Sequence, residues 1–318
     1  MPASKKYLDP EVIARLRGMA LRARSVVAGS VSGMHRSAYH GFSVEFAEHR
    51  QYVPGDDIRY VDWRIFGRAD RLYVKQYEEE TNLHCNLLVD ASRSMAYPTG
   101  GTPALHGGSA SGGRTKFDYT AALAASLAYL LISQQDSAGL LTFDSEVRES
   151  LPPRTGKTQL SNFVTILEQT EPAHSTDVKI LFHRLAEELR KRSMVILISD
   201  LLADADDVVS GIEHICCAGH ELIVLHVMDD HEWNLPLVEN LMFEGLEDDV
   251  RLLADPQSLR PSYLNAVQRF VTRVEGTCLK QHADYVPINT RDPLDAVLCG
   301  YLARRAGSAV GRGGTRRR

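Results

Sequence analysis

Apolar and polar positions along this chain follow two periods, and the places where one gives way to the other outline its elements. Short, nearly continuous apolar runs at 83–89, 138–143, 194–198 and 221–227 have the length of strands buried on both faces. Between and around them, 116–134, 159–170 and 203–217 read as helices, and Val178, Leu181, Leu185 and Leu189 mark another that opens at Thr176. Val147 and Leu151 suggest an antiparallel return after the 138–143 strand. Further on come a hairpin over 241–253 turning at Glu247-Asp248-Asp249, a helix over 261–283, a last strand over 284–289 and a closing helix over 293–305. Strands that alternate with helices predict an α/β fold, a mostly parallel sheet with helices on both faces.

The region ahead of these runs has another character. Asp9-Pro10 reads as a cap and first turn, followed by Val12, Leu16, Met19, Ala23 and Val27 on one helical face. Gly29, Ser30, Ser32 and Gly33 break that helix, and 71–77 alternates like a strand leading toward the sheet.

Composition narrows the function classes. A formal charge of −5 gives no basic signature for nucleic acid, and Arg316, Arg317 and Arg318 close a Gly-rich end that reads as a disordered tail. The longest apolar stretch, 121–132, is too short to span a bilayer, and the N-terminus does not read as a signal peptide. Five cysteines without C-x-x-C spacing suit reduced thiols, so a cytoplasmic location is expected.

Two of the apolar runs end in an acid. The first runs into Asp90-Ala91-Ser92-Arg93-Ser94, a D-x-S-x-S loop, and the second closes on Asp200. Carboxylate and hydroxyl oxygens suit a hard cation such as Mg²⁺, which takes about six of them, more than one loop supplies. Asp200 and the hydroxyl of Thr176 stand at plausible places to add ligands. A ligand site in such a sheet lies at the carboxyl ends of the strands, where the winding reverses, and Asp90 and Asp200 both close strands at that end.

Other motifs carry less. Gly156-Lys157-Thr158 lacks the upstream glycine of a phosphate loop, the position being Leu151. The Gly-rich stretch 98–114 has no strand directly before it and no Gly-Lys-Ser or Gly-Lys-Thr after it, and reads as a mobile insertion. Asp229, Asp230, His231 and Glu232 fit a polar loop better than a zinc site, because one loop offers little convergence.

The set Asp90, Ser92, Ser94, Thr176 and Asp200 resembles the metal-ion-dependent adhesion site of a von Willebrand factor A domain. The run 46–63, FAEHRQYVPGDDIRYVDW, is similar to the signature of the DUF58 family, which precedes a von Willebrand A-like domain. The resemblance implies a von Willebrand A-like domain over 81–305, an N-terminal extension over 1–80 packed on it, and a tail over 306–318. It also implies a divalent cation, Mg²⁺ with Mn²⁺ or Ca²⁺ as alternatives, bound for adhesion rather than chemistry. Members of the family resemble partners of MoxR-type AAA+ ATPases, so an adaptor role in such a system is the expectation.

Two other readings stay open. One is an interaction protein with a degenerate, metal-free site. The other is a phosphohydrolase of the haloacid-dehalogenase type, which uses an acid at a strand end, a second acid two residues later and a lysine. Here the second position is Ser92. No G-x-S-x-G elbow is present for a serine hydrolase.

Overall fold

The computed structural model describes residues 44–53, 61–69, 71–79, 83–99, 114–174, 192–237, 241–245 and 251–312. The described residues fall into two compact units, one within 35–82 and one from Leu83 onward. The N-terminal helix expected after Asp9 and the residues Asp56, Asp57 and Arg59 of the signature lie outside the described residues.

In the smaller unit, β1 (Val44–Gln51) and β2 (Tyr73–Glu79) form an antiparallel pair, with Gln51 opposite Tyr73 and Val44 opposite Glu79. Between them lies α1 (Trp63–Ala69). Asp62 begins that helix as its cap. Its Oδ1 accepts from the Arg64 and Ile65 amides at 2.9 and 3.3 Å, and its Oδ2 stands 3.1 Å from His49 Nε2. The strand read over 71–77 is therefore present.

The larger unit follows the predicted alternation. In order come β3 (His84–Asp90), α2 (Lys116–Ser133), β4 (Ser137–Phe143), β5 (Val147–Arg154), α3 (Lys157–Gln169) and β6 (Met194–Ser199). Then follow α4 (Ala205–Cys217), β7 (Glu221–Met228), α5 (Asp230–Asn234), β8 (Leu241–Glu244), β9 (Arg251–Ala254), α6 (Pro256–Lys280), β10 (Asp284–Asn289) and α7 (Leu294–Arg312).

Six strands make one sheet in the order β10-β7-β6-β3-β4-β5, parallel throughout except for β5, which returns antiparallel to β4 at one edge. The connection β3-α2-β4 moves to one side of β3, while β6 pairs on its other side, so the winding reverses between β3 and β6. This is the mostly parallel α/β sheet expected from the sequence, and it makes the strands that end beside Asp90 and Asp200 neighbours.

Alternation within the central strands builds two cores. Leu87 and Val89 of β3 and Ile196 and Ile198 of β6 face α2 and α3, where Leu123, Leu127, Phe163 and Leu167 meet them. Leu88, Val195 and Leu197 point the other way, onto Val208, Ile212 and Ile215 of α4 and Val274 of α6. Because both faces are covered, the strands read as continuous apolar runs.

Three boundaries differ from the sequence reading. The helix expected from residue 261 begins at Pro256, because Asp255 caps it through the Gln257 amide at 3.0 Å and Pro256 supplies a pre-set first turn. Pro261 then lies inside the helix. The closing helix continues past residue 305 to Arg312, so part of the stretch read as a disordered tail is helical, and 313–318 lie outside the described residues. Asp229 to Glu232 form a capped short helix rather than a loop. The hairpin read over 241–253 is present, with Met242 opposite Leu253, while its turn at 246–250 is outside the described residues. Among the described residues no helix is long and apolar enough to cross a membrane.

Candidate metal centre

Strand β3 delivers Asp90 to the carboxyl edge of the sheet, and the chain then turns through Ala91 and Ser92 into a short 3-10 turn, Arg93–Ala96. The Ser92 amide donates to Asp90 Oδ1 at 2.8 Å, which folds the loop back over its own acid. Ser92 Oγ and Ser94 Oγ stand 3.0 Å apart. The Ser92 hydroxyl also faces the Asp90 carboxyl and the Ser94 hydroxyl faces the Asp200 carboxylate, and each favours the ionised form. Asp90, Ser92 and Ser94 thus form one hydrogen-bonded loop beside Asp200 at the ends of β3 and β6, and all four are buried.

Thr176, the fifth residue expected, lies outside the described residues, as does 175–191 around it. The chain just before it is tied to the loop: the Arg93 amide donates to the His174 carbonyl at 2.8 Å, and the Ala173 amide to the Ala91 carbonyl at 3.0 Å. Residues 100–113 of the Gly-rich stretch are likewise outside the described residues, while Pro98 and Thr115 at its two ends form a β-bridge.

Three residues of the site were not recognised in the sequence. Ser199, the last residue of β6, donates its hydroxyl to Asp90 Oδ2 at 2.5 Å and accepts from the Leu201 amide at 2.9 Å. Lys116 opens α2, and its side chain is 0% exposed. Its ammonium donates to Asp200 Oδ2 and to Glu232 Oε1, both at 2.7 Å. Glu232 is aimed by its place in a capping box, with Oε2 accepting from the Asp229 amide at 2.7 Å. Behind Asp200, His226 Nε2 stands 2.9 Å from the Asp200 carbonyl oxygen and His226 Nδ1 lies 2.6 Å from Tyr285 Oη.

The two acids of the pair are unlike. Burial, aided by the neighbouring Asp200 charge, pushes the Asp90 carboxyl up to about 7, against the hydrogen bonds from Ser199 and Ser92. Burial also works against the Asp200 carboxylate, but the Lys116 ammonium and the hydrogen bonds from Lys116, Ser94 and the Leu202 amide outweigh it and hold that group below the usual range. Glu232 is raised by burial in spite of Lys116. Burial pushes His226 down to about 4, which leaves it a neutral prop for the β6 end.

The donor set fits a hard cation. Hydroxyl and carboxylate oxygens converge at the edge of two adjacent strands, as Mg²⁺ requires. Among the described residues no lysine or arginine lies within ion-pair distance of Asp90, so its buried charge has no cation of its own. Asp90, Ser92 and Ser94, with Asp200 at the side, are the residues that would hold the ion. Among the described residues no group of three His, Cys, Asp or Glu side chains is gathered for a softer metal.

Comparisons with known proteins bear on the family and the fold. The family model described as "Protein of unknown function DUF58" matches residues 48–272. Uncharacterized protein Rv1480 of Mycobacterium tuberculosis and Uncharacterized protein Mb1516 of Mycobacterium bovis are each 27% identical over 309 residues, covering 95% of this chain and 93% of theirs. Among solved structures, the conserved hypothetical protein BatB from Bacteroides thetaiotaomicron is 13% identical with a TM-score of 0.44, over 71% of this chain and 99% of that one. The vWF domain of the type V pili tip protein Mfa5 from Porphyromonas gingivalis is 12% identical with a TM-score of 0.35, over 75% and 98%.

Proposed function

The chain belongs to the DUF58 family, and from that premise we propose that it is a non-enzymatic, divalent-cation-dependent protein-binding module. Asp90, Ser92, Ser94 and Asp200 hold the cation, Thr176 adds its hydroxyl, and an acidic side chain from a partner completes the shell. Mg²⁺ is the first choice of ion, with Mn²⁺ and Ca²⁺ as alternatives. The observation that carries this reading is the hydrogen-bonded loop of Asp90, Ser92 and Ser94, tied through Ser199 to the end of β6 beside Asp200, at the point where the sheet reverses its winding.

An ion supplies Lewis acidity and a vacant coordination position when bound. This chain's own part is positional: Ser199 and the Ser92 amide orient Asp90, and His226 supports the backbone at Asp200. The partner is a MoxR-type AAA+ ATPase in the reading implied by the family, and the setting is the cytoplasm. Pull-down with such an ATPase should succeed in Mg²⁺ and fail in EDTA. It should also fail with Ser92→Ala, provided that variant melts like the wild type. Capture that is indifferent to EDTA would support instead a metal-free interaction site.

One observation favours a second reading, phosphoryl transfer. Lys116 places an ammonium among carboxylates beside a strand-end acid, the charge pattern of a phosphatase of the haloacid-dehalogenase type. Against it, both carboxylates beside Lys116 already engage it, and Ser92 offers a hydroxyl where a general acid is needed. Release of phosphate from p-nitrophenyl phosphate by the wild type, lost in Asp90→Asn, would establish the enzyme and displace the adhesive reading.

A further inference from the structure

Lys116 is a cation inside the candidate centre, and its placement has no local reason. It is the first residue of α2, at the positive end of the helix, where a cation is disfavoured. The helix start is secured without it by Thr115 and Asp118, whose side chains and amides cap each other at 3.0 and 3.1 Å. A wholly buried ammonium is costly unless paired, and here it has two carboxylates at 2.7 Å and the Tyr97 ring with its centroid 5.9 Å away. Those carboxylates come from the end of β6 and from the short helix after β7, so the lysine joins three elements around the mouth of the site.

We infer that Lys116 is the affinity-determining residue of the cation site, a tethered internal cation that neutralises Asp200 and Glu232 and leaves Asp90 as the ligand whose charge no cation balances among the described residues. The inference rests on the metal-binding reading and adds what sets its strength. A divalent ion gathered by Asp90, Ser92 and Ser94 shares a low-dielectric site with an ammonium that bonds the adjoining Asp200, and the two charges repel. Binding is weak for that reason. The same ammonium adds attraction for an anion, so the loaded site prefers a partner's carboxylate over a neutral ligand.

Calorimetric titration of MnCl₂ and of MgCl₂ into the full chain tests this. Lys116→Met should tighten divalent binding about tenfold or more, because a repelling charge is gone and Asp200 is released. Lys116→Arg keeps the charge and should stay within about threefold of the wild type. If Lys116→Met fails to fold with two uncompensated acids, the double variant Lys116→Met/Glu232→Gln carries the test and should also tighten binding. Binding by these variants with none by the wild type would uphold Lys116 as the resident cation and sink only the metal dependence of the native chain. Wild-type binding that the charge-removing variants leave unchanged or weaken would overturn the inference and leave the metal site standing. No binding by any of the proteins would overturn both.

Discussion

The hydroxyl of Ser199 donates to Asp90 Oδ2 across 2.5 Å, joining the last residue of β6 to the last residue of β3. The same oxygen accepts from the Leu201 amide, so removing it takes one hydrogen bond from the buried Asp90 carboxyl and one from the Leu201 amide. Ser199→Ala should lower stability by about 1–3 kcal/mol, measured by urea denaturation. A midpoint equal to wild type would mean that this link between the strand ends is not maintained in solution.

The pH dependence follows from Asp90. Its carboxyl is raised from 3.8 in the unfolded chain to about 7 in the metal-free fold, so the folded state binds the extra proton between those values. The contribution to stability is fully present below 3.8 and is lost as pH rises through 7. The metal-free protein should therefore melt lower at pH 8 than at pH 6, and Asp90→Asn should flatten that slope. Divalent binding needs the ionised carboxylate, so its affinity should fall about tenfold per unit below pH 7. A wild-type slope matched by Asp90→Asn would assign the titration to another group.

In the smaller unit, Asp62 and Trp63 should behave differently even though they are adjacent. Asp62 is buried and caps α1, so Asp62→Ala should cost about 1 kcal/mol. Trp63 is 59% exposed, with its ring edge-on to Phe66 at 6.1 Å, so among the described residues it makes little buried contact. Trp63→Ala should stay within about 0.5 kcal/mol of wild type. Equal losses in the two variants, read from denaturation midpoints, would contradict this.

The sequence made the sheet legible because β3, β4, β6 and β7 are buried on both faces and leave uninterrupted apolar runs. Asp90, Ser92 and Ser94 were legible because three oxygen-bearing side chains fall within five residues. Lys116 was not: the Thr115 and Asp118 caps announce a helix there, but nothing in local spacing relates a first-turn lysine to Asp200, 84 residues away. Glu232 was obscured for a similar reason, since its capping role with Asp229 is local while its charge serves a distant lysine. Ser199 looked like an ordinary strand end before the acid. The start of α6 was misplaced because Pro261 is as good a first-turn residue as Pro256, and only the Asp255 cap distinguishes them.

On the reading proposed above, Asp90, Ser92, Ser94 and Asp200 hold a divalent ion. Free Mn²⁺ gives an electron paramagnetic resonance signal that disappears when the ion is bound, so titrating the chain with MnCl₂ counts occupied sites directly. A single Mn²⁺ per chain is expected for the wild type at pH 8, displaced by excess Mg²⁺, and none for Asp90→Ala that retains the wild-type circular dichroism spectrum. Equal Mn²⁺ uptake by the two proteins would contradict it.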